Sequence, residues 1–198
     1  MQTLLNGMDI LAPLYYFYQS SYHVFPELKM LDGGELPEPA KQLLVHDDDM
    51  TPTLKRYFGR NIYLQVLHTE EEHLVVKREV ILHLEDTHEP VEFGAIKIDL
   101  SCMPVYVRGI IREGKKPLGG ILNEHHVIHT SHPSGYFQVS SDDIMQRAFS
   151  FHDQPVLYGR CNTLRYENGN TLAEVVEVLP PIEIVKAESV KAFRKDQR

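Results

Sequence analysis

Residues 156–179 read VLYGRCNTLRYENGNTLAEVVEVL. Two apolar runs, 156–166 and 171–179, flank the polar tetrapeptide Glu167-Asn168-Gly169-Asn170. Asn-Gly between such runs is the strongest short-range hairpin signal, because a tight turn needs the positive φ that Gly and Asn adopt. The stretch therefore predicts two antiparallel strands. Side chains alternate along a strand. In the second one, Thr171, Ala173, Val175, Glu177 and Leu179 share a face, and Leu172, Glu174, Val176 and Val178 share the other. Each face carries one Glu among apolar neighbours. A carboxyl so placed has a raised pKa and can move a proton near neutral pH, or it can pair with an internal cation. Alternation alone does not choose between Glu174 and Glu177.

Outward from the hairpin, three more runs rich in Val, Ile, Leu or Tyr predict strands over 61–68, 74–84 and 91–100, with turns at Glu70-Glu71-Glu72 and at Asp86-Thr87-His88-Glu89. In the run 74–84, Leu74, Val76, Arg78, Val80, Leu82 and Leu84 share one face. A guanidinium on an apolar face is costly unless an anion meets it. Its partner is either an internal carboxylate or the carboxylate of a ligand, which Arg grips with two parallel hydrogen bonds.

Helices are predicted over 38–45, with Pro near the start, and from Thr51 to a stop at Gly59. Pro117 opens another to about 127, and Ser140 or Ser141 caps DDIMQRAF. Separate helices beside adjacent hairpins give an α+β fold on a single antiparallel sheet. Residues 1–35 resist reading beyond a turn at Asp32-Gly33-Gly34.

The chain has 198 residues, 42% of them hydrophobic, which suits one globular domain with a core. Its net charge is −8, and the sole basic cluster is the tail KAFRKDQR, so nucleic acid is not expected as a partner. Cys102 and Cys161 match no metal or redox spacing, which fits a reduced, cytoplasmic protein. The apolar start lacks the basic residues of a signal peptide, and no run of about 18 apolar residues predicts a membrane span.

Four histidines, His125, His126, His129 and His132, cluster in NEHHVIHTSHPSG at 123–135. His125 and His129 have the i, i+4 spacing of zinc ligands on a helix, but the helical pattern runs out here and Glu124 precedes the pair instead of following its first member. The reading is a helix end and loop with no metal.

Several segments, in order, resemble the chorismate pyruvate-lyases and their chorismate-lyase-like relatives: LLVHDDDMTPTLKRYF at 43–58, VVKREVIL at 75–82, GKKPLGGIL at 114–122, LYGRCNTLRY at 157–166 and EVLPP at 177–181. The resemblance implies about six antiparallel strands with packed helices in a domain spanning 36–185, between an extension at 1–35 and a polar tail at 186–198. It implies a lyase, without metal or organic cofactor, that removes pyruvate from chorismate to leave 4-hydroxybenzoate, a step of ubiquinone biosynthesis. It implies contacts to a small-molecule carboxylate from Met50, Arg78, Leu118 and Glu177, with Arg78 and Glu177 catalytic. The sequence departs from the family at Asp49, where Ser is usual. The alternative is a non-catalytic module that binds an aromatic carboxylate, since the same fold resembles the effector-binding domain of bacterial transcription regulators. Those carry a DNA-binding domain first, and 35 residues are too few for one. Oligomeric state is not legible.

Overall fold

The computed structural model describes residues 9–101 and 103–182. Cys102 and the polar tail lie outside them. Seven strands form one antiparallel sheet in the order β1-β5-β6-β7-β4-β3-β2. They are β1 (Leu28–Leu31), β2 (Ile62–Glu72), β3 (Val75–Leu84), β4 (Pro90–Asp99), β5 (His129–Ser140), β6 (Val156–Tyr166) and β7 (Thr171–Leu179). The helices are α1 (Ala12–Ser20), α2 (Ala40–Leu44), α3 (Met50–Phe58), α4 (Val105–Glu113), α5 (Leu118–Glu124) and α6 (Asp143–Phe149). The α+β class and the single antiparallel sheet are as expected from the sequence. The sheet has seven strands where about six were expected.

The β6–β7 hairpin falls where the Asn-Gly signal puts it, with Gly169 at φ +82°. Gly59 ends α3 in the left-handed conformation at φ +66°. Other local expectations need correction. Glu70, Glu71 and Glu72 do not turn; they continue β2 opposite Lys77, Val76 and Val75. The turn is His73-Leu74, both at positive φ without a glycine to advertise it. Three acids in an edge strand oppose further strand pairing. The cap of α6 is Asp142, one residue beyond the predicted serines, and its carboxylate accepts from the Ile144 and Met145 N–H groups at 3.1 and 3.0 Å. The stretch 129–135, read as loop, belongs to β5. Pro133 and Gly135 are tolerated there because a bulge separates them and that half of the strand pairs only with β6. Helix α4 carried no clear sequence signal.

The N-terminal segment, open in sequence terms, supplies α1 and the edge strand β1. With α6, α1 covers one face of the sheet: Leu14, Phe17, Tyr18, Met145 and Phe149 bury against Phe93, Val176 and Val178. Helices α2 to α5 cover the other face in two clusters. Leu43, Leu44, Met50 and Leu54 pack on Leu82, Leu84 and Leu179. Val107, Ile111, Ile121 and Leu122 pack on Val76, Ile98, Leu164 and Ala173. A cavity opens at the seam between these two clusters.

Candidate functional site: a cavity with two buried guanidinium groups

The cavity floor is a grid set by strand register. Val80, Gly94, Glu177 and Arg160 are successive cross-strand partners over β3, β4, β7 and β6. Two residues along the same face, Arg78, Ile96, Val175 and Asn162 form the next row. Met50 and Leu118, the first residues of α3 and α5, close it from above. The cavity volume is about 80 Å³, well below the usual range for small-molecule sites. Met50, Arg78, Leu118 and Glu177 thus line one cavity. Glu174 lies on the opposite face, in a half-exposed pair with Lys97 at 2.9 Å.

The two arginines differ in what answers their charge. Arg160 is 0% exposed and donates from Nε to Glu177 Oε2 at 2.5 Å. Its other nitrogens donate to the carbonyls of Leu44, His46 and Asp48 at 3.3, 3.1 and 3.2 Å. Arg160 therefore fastens the segment between α2 and α3 to the sheet and holds Met50 over the cavity. Arg78 is 5% exposed. It donates to the Ile111 carbonyl and, at 3.4 Å, to Thr69 Oγ1. Among the described residues no carboxylate forms an ion pair with it. The nearby Glu71 is taken by Arg112 at 2.5 Å. Burial lowers the Arg78 pKa from its ordinary value. The sequence reading left its partner open between an internal carboxylate and a ligand; Glu177 belongs to Arg160 instead.

Sequence reasoning missed Glu92. It is 4% exposed on the cavity wall, and its Oε2 has no hydrogen-bond partner. Desolvation, reinforced by Glu177, pushes its pKa well above the ordinary carboxylate range, although Arg160 pulls the other way. The only sequence signal was one acid inside the apolar run PVEFGAI at 90–96. Asn162 was missed too; its amide donates to Ser131 Oγ at 2.9 Å.

At the mouth, His129 Nε2 meets Asp49 Oδ2 at 3.1 Å, and Asn123 donates to the same oxygen at 3.3 Å. This contact raises the His129 pKa, against the effect of burial. A methyl group on Gly119 would stand 3.0 Å from the Asp49 carboxyl, so a side chain there would press on Asp49. The histidine cluster is thus dispersed. His125 ends α5, while His129 and His132 sit in β5. Among the described residues, no three His, Cys, Asp or Glu side chains group as metal ligands.

No family model matches this sequence, and no curated protein matches it. Solved structures share its fold. The effector domain of PhnF from Mycobacterium smegmatis is 8% identical with a TM-score of 0.52, over 70% of this chain and 91% of that one. PhnF itself is 8% identical with a TM-score of 0.53 over 69% of this chain; the match spans 65% of PhnF's length. A GntR-family transcriptional regulator from Enterococcus faecalis is 11% identical at a TM-score of 0.44, over 60% and 93% of the two chains, too loose a match to argue from.

The expectation of a chorismate pyruvate-lyase, with its place in ubiquinone biosynthesis, is corrected by these findings. The two structures that share the fold at a TM-score above 0.5 are named as PhnF and its effector domain, and neither name is that of a lyase. The site agrees with the correction in one respect: the acid assigned to proton transfer is bound to Arg160. The expectation that nucleic acid is no partner rested on the charge of this chain alone. These matches do not support it. Among the described residues no helix is long and apolar enough to cross a membrane.

Proposed function

We propose that this chain is a non-catalytic module that binds a small aromatic carboxylate in the cavity between the sheet and helices α3 and α5. The observation that carries the reading is Arg78, a buried guanidinium in a mostly apolar cavity that forms no ion pair among the described residues. A ligand carboxylate supplies the missing charge and can take paired hydrogen bonds from the fork. Val80, Leu82, Ile96 and Leu164 offer apolar walls to a ring, Met50 adaptable contact, and Leu118 a helix-start backbone beside it. Glu177 acts in this reading through Arg160, which keeps the roof in place. The effector-domain fold supports a binding role, and a buried free Cys161 suits a cytoplasmic setting.

The test is thermal unfolding with benzoate against benzyl alcohol. Benzoate raises the midpoint with increasing concentration, because a ligand that binds only the folded state stabilises it. The uncharged analogue has a much smaller effect. Equal shifts, or none with either compound, would overturn the reading.

A further inference from the structure

Glu92 has no part in the reading above. It stands at the far end of the cavity from Arg78. It pairs in register with Leu82, four residues along β3 from Arg78, so the Cα atoms of Glu92 and Arg78 are about 14 Å apart at ordinary strand spacing. Its carboxyl lies over Gly94, where an added methyl would stand 3.3 Å from Oε1. The bare glycine lets the carboxyl lean inward, along the floor. Its Oε2 is buried and unpartnered, and an unsatisfied buried polar atom costs about 1–3 kcal/mol.

Leaving aside the mouth residues Asp49 and Lys116, paired with His129 and Glu124, the charges of the cavity floor can be summed. Arg160 is neutralised by Glu177. Arg78 contributes one uncompensated positive charge. Glu92 is buried, its Oε2 is unpartnered and no cation forms an ion pair with it among the described residues, and burial together with the Glu177 charge favours its uncharged form. A bound monocarboxylate brings the sum to zero. A second carboxylate, pointing away from Arg78, would bring a buried charge that no free cation answers there, since Arg160 is already paired with Glu177.

We propose that Glu92 selects the ligand: it hydrogen-bonds an uncharged oxygen at the end remote from Arg78, so the cavity takes an aromatic acid with one carboxylate and excludes a dicarboxylate. This inference rests on the anion-binding role of Arg78. It makes Glu92 a specificity-determining residue that supplies the O–H donor.

Three probes separate the outcomes by calorimetric titration: benzoate, 4-carbamoylbenzoate and benzene-1,4-dicarboxylate. The carbamoyl compound keeps the dicarboxylate's shape and replaces its second charge with a neutral amide. The wild-type protein should prefer 4-carbamoylbenzoate to the dicarboxylate by at least about tenfold, the size of one buried hydrogen bond left unmade. Glu92→Gln, which keeps a hydrogen-bonding group, should retain the preference for 4-carbamoylbenzoate over benzoate, and Glu92→Leu should lose it. Binding of all three acids with a ranking unchanged in Glu92→Leu, or a dicarboxylate bound as tightly as the amide, would overturn the role of Glu92 while leaving the anion site standing. Failure of every acid to bind wild-type protein would overturn the anion site itself, and the inference with it.

Discussion

Arg160 and Glu177 are direct cross-strand partners on β6 and β7, and Arg160 Nε donates to Glu177 Oε2 at 2.5 Å with both side chains buried. Removing one member leaves the other as an uncompensated buried charge, which costs about 3–5 kcal/mol. Glu177→Gln should lower the urea-unfolding free energy by about that range. Glu174→Gln, three residues away, breaks only a half-exposed pair with Lys97 and should change stability by less than about 1 kcal/mol. Equal losses from the two substitutions would show that the Arg160–Glu177 pair is not the fastening of the cavity roof.

Arg78 should behave in the opposite sense. Its buried charge forms no ion pair, so only the Ile111 and Thr69 hydrogen bonds and the nearby Glu71 offset its desolvation. Arg78→Met keeps the length and much of the packing of the stem. Urea unfolding without ligand should find the variant as stable as the wild type or more stable. A loss above about 2 kcal/mol would mark Arg78 as a structural residue satisfied by the Ile111 carbonyl and Thr69.

The mouth of the cavity titrates. Asp49 raises the His129 pKa above its ordinary 6.5. A raised folded pKa means that the proton stabilises the folded state. That contribution is complete below the unfolded value and disappears as pH rises through the folded one. Denaturant stability of wild type minus that of Asp49→Asn should therefore fall as pH increases from 6.5 upward. A flat difference curve over that window would show that the two side chains do not interact in solution.

Gly159 packs against the opposite face. A methyl there would lie 2.4 Å from the Phe137 ring and 2.5 Å from the Glu177 carbonyl, and neither the backbone nor a core ring can yield cheaply. Gly159→Ala should cost about 1–3 kcal/mol or more, as for other overpacked cores. Gly34→Ala, with open space around it, is the control.

Local signals made much of this fold legible. Asn168-Gly169 announced the β6–β7 hairpin, Gly59 the end of α3, and period-two alternation the apolar strand face that carries Arg78. What stayed hidden depends on distant pairing. His73-Leu74 turns without glycine because β2 and β3 meet in register on either side of it. Pro133 sits in a strand because β6 supplies the partner and a bulge absorbs the mismatch. The cavity residues Met50, Arg78, Leu118 and Glu177 were named from a resemblance. The partnership of Glu177 with Arg160, and the isolation of Glu92, follow from the lateral order β6-β7-β4, which no single segment encodes.

The most direct test of the account is a calorimetric titration of benzoate into wild-type protein and Arg78→Met side by side. The account predicts saturable binding to the wild type, weakened in the folded variant by about 2–5 kcal/mol, as when one partner of a buried charge pair is truncated. Equal affinity for the two proteins would contradict it.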